Sequence, residues 1–166
     1  DGVTFANATA AETTFTMPAK AVTVVATYKK DTYTISVTDG TATPATAQMG
    51  DRVNISANAP AAGYAFDKWT GEGVTFANAS SADTNFTMPA GNVSIAATYK
   101  KIDYTVTVNG GTANKTTANV GDTITLTAGT APTGKQFTGW TVNKGGVTVT
   151  GNTFTMSAAD VEVTAE

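Results

Sequence analysis

Three side chains recur as a set that could form a covalent crosslink between a lysine and an asparagine. The set comprises Asn7, Glu12 and Lys29 in one copy and Asn78, Asp83 and Lys100 in the next. A carboxylate can assist such a reaction, but the lysine must be buried for its pKa to shift toward the neutral form. Both lysines lie in hydrophilic Lys-Lys doublets between repeats, and a third copy lacks the acid. The pattern therefore favours a solvated linker over a crosslink.

Other groups that could do acid–base chemistry do not cluster. Asp51 and Asp122 recur, but each stands alone beside a glycine, which favours a role in a turn. The sequence has no cysteine and no histidine, which excludes thiol catalysis, histidine base catalysis and thiolate or imidazole zinc sites. No clustered acidic loop for calcium is present. We therefore expect no enzyme, and we predict no catalytic, cofactor-binding or metal residue and no cofactor.

One aromatic group could stack against a sugar ring. It comprises Tyr64, Phe66 and Trp69. The last two recur as Phe137 and Trp140, whereas Lys135 takes the place of the tyrosine. Large apolar side chains that repeat in this way are more often core residues than a binding platform. Positions three apart face opposite sides of a regular strand, so a bulge is needed if both rings enter the core.

The composition is that of a threonine-rich β protein of 166 residues. Charged residues make up 14% and hydrophobic residues 41%, with a net charge of −3. The ten basic residues are scattered and form no cationic face, so no nucleic-acid partner is expected. No apolar run reaches the length of a membrane span, so we expect no membrane insertion in this segment.

Internal repetition is the strongest feature of the sequence. Residues 2–31 and 73–102 agree at 20 of 30 positions, and many further pairs share the same offset of 71 residues. A third copy is shorter between its tryptophan and its methionine, which predicts a surface loop there. We predict a partial repeat at 1–31, formed by the back half of a unit, and complete or nearly complete repeats at 32–102 and 103–166. The pattern is that of a segment cut from a longer tandem array.

Alternating apolar and polar residues predict short strands rather than helices. The predicted inward faces include Tyr33, Ile35 and Val37; Val53, Ile55 and Ala57; Val93, Ile95, Ala97 and Tyr99; and, in the first copy, Val22, Val24, Ala26 and Tyr28. Polar opposite faces are typical of antiparallel sheets with one wet side. We expect Trp69 and Trp140 to be mostly buried. The fold class predicted is mainly β, with tandem small antiparallel modules, sandwich-like or β-grasp-like, in an elongated array.

The combination of YTxxV, a Gly-Asp turn, GYxFxxWTG and TFTMPAxxVxxxATY resembles the divergent B-repeat named after the internalin B surface protein. The resemblance implies a stalk-forming β module of a mostly Gram-positive, cell-surface and extracellular protein. It implies no catalytic residue. The third copy departs from the pattern at Lys135 and at Ser157, which follows the methionine in place of proline.

Two functions remain open at this point. The first is a rigid extracellular spacer, an adhesin stalk whose partners are the neighbouring repeats, because the junctions YKKDTY and YKKIDY leave little slack. The alternative is a module that binds a glycan or a host surface protein through loops that differ between copies. Those loops are Thr43–Met49 against Asn114–Val120 and Glu72–Asp83 against Asn143–Gly151.

Overall fold

The protein was analysed as a computed structural model that describes residues 2–166. The chain forms two compact units, one that ends at Lys30 and one that spans Asp31–Glu166. No helix occurs in the described part of the chain, which confirms the prediction of an all-β fold. It follows that residues 2–166 contain no helix capable of crossing a bilayer.

The N-terminal unit, residues 2–30, contains a short hairpin and no regular strand. Phe5 and Phe15 face each other in an isolated antiparallel bridge, and their rings lie 5.7 Å apart. From residue 21 to residue 31 the chain has no strand hydrogen bonding. The strand predicted to carry Val22, Val24, Ala26 and Tyr28 is therefore absent. The prediction was wrong here because a β-strand exists only when another strand accepts and donates its hydrogen bonds.

The second unit contains two copies of a seven-stranded arrangement. In the middle repeat, residues 32–102, the strands are β1 (Thr32–Thr38), β2 (Gly40–Thr43), β3 (Thr46–Gln48), β4 (Arg52–Ala57), β5 (Tyr64–Gly71), β6 (Asp83–Thr87) and β7 (Val93–Lys101). In the last repeat, residues 103–166, they are β8 (Tyr104–Asn109), β9 (Gly111–Ala113), β10 (Thr117–Ala118), β11 (Thr123–Ala128), β12 (Trp140–Lys144), β13 (Thr153–Thr155) and β14 (Val161–Ala165).

Each repeat has a four-stranded and a three-stranded sheet. The orders are β3-β1-β7-β5 and β2-β4-β6 in the middle repeat, and β10-β8-β14-β12 and β9-β11-β13 in the last. Most neighbours are antiparallel, but the first and last strands of each repeat are parallel, with Ile35 opposite Val93 and Val106 opposite Val161. A parallel pair needs a long crossover connection, and the five intervening strands supply it. The prediction of small antiparallel modules holds for most neighbours but did not include this parallel pair.

Each repeat encloses its own hydrophobic core. The predicted alternation is confirmed, because Val53 and Ile55 in β4 and Val93, Ile95 and Ala97 in β7 are buried while the residues between them are exposed or only partly buried. The buried residues of the middle core are Ile35, Ala47, Val53, Ile55, Trp69, Phe86, Met88, Val93, Ile95 and Ala97, and those of the last core are Val106, Ala118, Ile124, Leu126, Phe154, Met156, Val161 and Val163. Burial of this apolar surface is the main stabilising contribution in each repeat.

The repeated methionines are held by the Gly-Asp turns. The N–H of Met88 donates to the carbonyl of Asp51 at 2.8 Å, and the N–H of Gly50 donates to the carbonyl of Met88 at 2.9 Å. Met156 makes the same pair of bonds with the turn at Gly121-Asp122. The glycine of each turn has a positive φ, which other residues adopt only at a cost. The turn and the methionine therefore form one unit, although they lie far apart in the sequence.

The two tryptophans differ in burial. Trp69 is only 2% exposed and lies in the same core as Val53, Ile55 and Met88, as predicted. Trp140 is partly exposed, but it packs against the core that contains Ile124, Leu126 and Met156, as predicted. The longer loop of the middle repeat covers Trp69: Phe76 lies 6.4 Å from it, ring to ring, and the carbonyl of Ala82 accepts its indole N–H. The shortened loop of the last repeat brings no aromatic ring to Trp140.

Candidate functional site

The aromatic trio of the middle repeat divides between core and surface. A register shift between Phe66 and Lys68 in β5 lets Phe66 and Trp69 face the same side, so the core placement is confirmed. Their rings lie 6.1 Å apart. Only Tyr64 is exposed, at 38%. In the last repeat the counterpart Phe137 precedes the strand and is 40% exposed, so a core position was wrong for this ring.

Tyr64 lines a cleft at one end of the middle repeat, which we call the end cleft. Its volume is about 400 Å³. It lies where the β1–β2 turn, the β4–β5 loop and the end of β7 meet, and its lining residues are Asp39, Asn58, Ala59, Pro60, Ala61, Tyr64 and Tyr99. The Tyr99 hydroxyl donates to the carbonyl of Asn58 at 2.7 Å, so this ring is fixed. The cleft thus offers two phenol rings and backbone carbonyls, which suits a neutral ligand with hydroxyl groups.

The last repeat has a cleft of about 350 Å³ at the corresponding place. Lys135 stands where Tyr64 stands in the middle repeat, and Glu166 and Phe137 also line this cleft. The position of the cleft therefore repeats, but its lining changes from Asp39 and two tyrosines to Lys135, Phe137 and Glu166.

The predicted turn carboxylates hold the turns. Asp51 accepts the N–H of Gln48 at 2.9 Å. Asp122 accepts the ammonium of Lys115 at 2.8 Å and the N–H of Asn119, and these bonds hold the pKa of Asp122 below its ordinary value. Such a carboxylate stays ionised and is a poor general base near neutral pH. Within residues 2–166, no three acidic or other ligating side chains converge as a metal site would require.

The side chains that were weighed as a crosslink set are not assembled, in line with the solvated linker that the sequence favoured. The amide oxygen of Asn78 accepts the N–H of Ser80 in its own turn, and Lys100 pairs with Asp67 at 3.8 Å. Asp83 accepts the hydroxyl of Ser56 instead of facing the lysine. The Lys100 side chain is 67% exposed, so it lacks the burial that the reaction needs. In the N-terminal unit, Asn7 likewise accepts bonds from Thr9 in its own turn.

The middle and last repeats meet in a compact joint that the sequence did not reveal. The N–H of Ile102 donates to the carbonyl of Gly63 at 2.8 Å. The side-chain amide of Asn119 donates to the carbonyl of Ile102 at 2.9 Å and to the carboxylate of Asp103 at 2.7 Å. Val120 lies so close to Gly63 that a Cβ on the glycine would overlap it.

The joint therefore ties a loop of one repeat to the linker and to a loop of the next. Asn119 and Val120 belong to a segment predicted as a variable binding loop, whereas the structure places its end against the preceding repeat. In the sequence, only the shortness of the YKKIDY junction indicates this joint. A short junction predicts close contact between the repeats but does not identify the side chains in contact.

Comparison with known families gives one result. The family model described as "Divergent InlB B-repeat domain" matches three successive segments, residues 1–32, 33–103 and 104–166. Comparisons with curated proteins and with solved structures gave no match. The three family matches together cover the sequence and confirm the resemblance seen in its repeated motifs. The chain therefore belongs to the divergent InlB B-repeat domain family.

Proposed function

We propose that this chain is a rigid extracellular spacer of a cell-surface protein, with no enzymatic role of its own. Family membership supports a repeat segment of a surface protein. The functional repeats in this proposal are residues 32–102 and 103–166, preceded by a back half at 1–31. Each repeat has its own core, so repeats can be added without redesign of a neighbour.

The joint is the observation that carries this proposal. A spacer must transmit orientation, and a flexible linker between repeats would lose it. Here the linker carbonyl and the linker carboxylate are both held by Asn119, while the Ile102 N–H is held by Gly63. Three hydrogen bonds and the Val120 contact leave the linker little freedom, so the two repeats should move together.

A distance measurement between spin labels tests the stiffness of the joint. The chain has no cysteine, so Thr41→Cys and Thr112→Cys, both at exposed positions, label the middle and last repeats specifically. We expect one narrow distance distribution in the full chain. A broad distribution in the otherwise unaltered chain would contradict the spacer proposal.

A glycine pair supplies the matched variants for this test. Gly63→Ala drives a methyl group into Val120 and should broaden or displace the distribution. Gly134→Ala is the control, because Gly134 has nearly the same φ, 80° against 81°, and has no atom within 4 Å of the added Cβ. Both variants carry the same backbone strain, so a difference between them reports the joint.

The second candidate is an adhesive module that binds a glycan or a host surface protein. The end cleft with its exposed Tyr64 and its fixed Tyr99 is the observation that favours it. A glycan array with the full chain and with Tyr64→Ala tests this function. Binding that disappears in the variant would support it, and equal signals from both proteins would count against the cleft.

A further inference from the structure

The end cleft of the middle repeat is lined by one charged side chain, that of Asp39. The remaining lining residues are one asparagine, two alanines, one proline and two tyrosines. Within residues 2–166, the ion pairs involve the carboxylates of Asp67, Asp122 and Asp160, so no lysine or arginine of this chain neutralises Asp39. The cleft therefore has a negative charge of its own and no positive charge to balance it.

Asp39 stands at a turn position that glycine would fill more easily. Its φ is 56°, in the left-handed region that is uncommon for residues other than glycine. The equivalent residue of the last repeat is Gly110, with a φ of 74°. The Asp39 carbonyl accepts the N–H of Asn58 at 2.9 Å and the hydroxyl of Tyr99 at 3.2 Å, which holds the turn against the cleft. The turn alone does not require an aspartate, so its exposed carboxylate is available for a ligand.

Two phenol rings complete the cleft, one fixed and one exposed. The Tyr99 ring is held at its hydroxyl by the carbonyl of Asn58 and packs against Phe66, whose ring lies 6.1 Å away at 85°. Tyr64 is exposed. The Tyr99 hydroxyl is already engaged as a donor, and the carboxylate of Asp39 can only accept. Because aromatic faces also attract cations, the cleft favours a ligand that donates hydrogen bonds and carries a positive charge.

We propose that the end cleft binds a sugar with a free ammonium group, an amino sugar of the glucosamine type. The Asp39 carboxylate accepts hydrogen bonds from the ammonium group, and the Tyr64 and Tyr99 rings pack against the sugar. A volume of about 400 Å³ lies at the small end of the range for ligand pockets, about 300–1,000 Å³, and fits a short saccharide. The inference rests on the second candidate function, adhesion, and names its class of glycan. It does not depend on the spacer proposal.

The last repeat supplies a contrast within the same chain. Lys135 replaces Tyr64 in its cleft, which removes a ring and places a positive charge against an incoming ammonium group. Gly110 replaces Asp39, so the carboxylate is also missing at that position. Glu166 lines this cleft together with Lys135 and offsets its charge. We therefore expect the amino sugar to bind the end cleft and not the cleft of the last repeat.

A titration of the full chain, labelled with nitrogen-15, with three disaccharides tests the inference. The ligands are the disaccharides of glucosamine, of N-acetylglucosamine and of glucose, of which only the first is cationic. With the glucosamine disaccharide we expect amide shifts at residues 39–40 and 58–64 and none at 129–137. Its affinity should exceed that of the other two about three- to fivefold at low salt, because one exposed ion pair contributes little. Added salt should reduce this preference.

Asp39→Asn is the variant that isolates the charge. Asparagine also adopts the left-handed region, so the variant removes the carboxylate and keeps the turn. We expect it to bind the three disaccharides equally, within about twofold. Glu72→Gln is the matched control, because it makes the same change in net charge at an exposed residue, roughly 25 Å along β5 from Tyr64. The control should keep the preference of the parent.

Equal binding of the three disaccharides at the end cleft would overturn the inference and leave the adhesive function standing. Absence of binding by all three at roughly tens of millimolar would contradict both at this cleft. A preference that survives in Asp39→Asn, or that Glu72→Gln also removes, would reduce the effect to a general attraction between a cation and an acidic protein. A lysine-containing tripeptide is the last arm. If it binds more tightly than the glucosamine disaccharide and Asp39→Asn abolishes its binding, the ligand is a protein and not a glycan.

Discussion

The first back half, residues 2–30, and the second back half, residues 73–101, are similar in sequence but differ in structure. Residues 73–101 form β6 and β7 and bury Phe86, Met88 and Ile95. In residues 2–30 the hairpin at Phe5 and Phe15 forms, but the strand after it does not. Twenty of the 29 aligned positions are identical, so local sequence preference does not account for the difference.

The difference shows which contacts are local and which are supplied by other strands. The hairpin is held within about a dozen residues by its Asx turn and its ring pair, so it forms in both places. Strand β7 depends on β1 and β5, which come from residues 32–71 of the same repeat. β propensity expresses the fit to neighbouring strands more than a preference of the backbone itself.

The largest difference in stability is expected when one phenylalanine is removed from each back half. Phe86→Ala should destabilise the middle repeat by about 3–5 kcal/mol, because it leaves a cavity in a closed core. Phe15→Ala should leave the middle repeat unchanged. Urea denaturation followed by Trp69 fluorescence, in a Trp140→Phe background, isolates that repeat. Equal losses from both substitutions would mean that the first back half is also part of a closed core.

Amide exchange gives a second test, with one value per residue. We expect the N–H groups of Val93–Lys101 that lie inside the sheet to exchange at least about a hundredfold more slowly than those of residues 22–30, since β7 is hydrogen-bonded on both sides. Exchange of the full chain followed by nuclear magnetic resonance measures both segments in one sample. Similar protection in the two segments would contradict the absence of a strand in the first back half.

The sequence was sufficient to predict the features that depend on alternation and on repetition. The inward faces at Val53 and Ile55 follow from a two-residue period, and the offset of 71 residues aligns the three copies. The bulge in β5 was also accessible, because two large rings three positions apart cannot otherwise share a core.

Features that depend on distant partners could not be predicted in the same way. The parallel pairing of β1 with β7 leaves no trace in either strand, since both alternate like antiparallel strands. The joint depends on Asn119, a polar residue in a segment rich in threonine and asparagine, where nothing marks it as special. The same holds for the end cleft, which gathers residues from two connections and from strands β5 and β7.

One side-chain hydrogen bond of the second back half has no counterpart in the first, and we expect a smaller effect on stability from its loss. The side-chain oxygen of Asn92 accepts the N–H of Thr34 at 2.8 Å and so fastens the start of β7 to β1. Its counterpart in the first back half is Ala21. We expect Asn92→Ala to cost about 1 kcal/mol of stability in the middle repeat, measured by the same urea denaturation. Ala21→Asn should have no effect in the free chain, and a clear gain there would mean that the first back half already contacts a donor strand.

The smallest predicted effect concerns the last repeat, where Asp160 takes the position of Asn92. Its carboxylate accepts the N–H of Thr105 at 3.0 Å, and this bond, with the nearby Lys144, holds the pKa of Asp160 below its ordinary value of 3.8. A lowered pKa in the folded state means that the stabilisation is complete well above pH 3.8 and is lost as the pH falls through the lower folded value.

Asp160→Asn keeps an acceptor for Thr105 but removes the titration, so its thermal stability should fall less between about pH 5 and pH 2 than that of the parent. Asn92→Asp makes the reverse exchange and should add acid sensitivity to the middle repeat. Thermal melts across this pH range measure both variants, with Trp69 fluorescence in a Trp140→Phe background for the middle repeat and Trp140 fluorescence in a Trp69→Phe background for the last. Only the difference between the curves of parent and variant counts. Parallel curves for Asp160→Asn and the parent would show that the Thr105 bond does not depend on the charge of Asp160, and the position would then work as a neutral acceptor in both repeats.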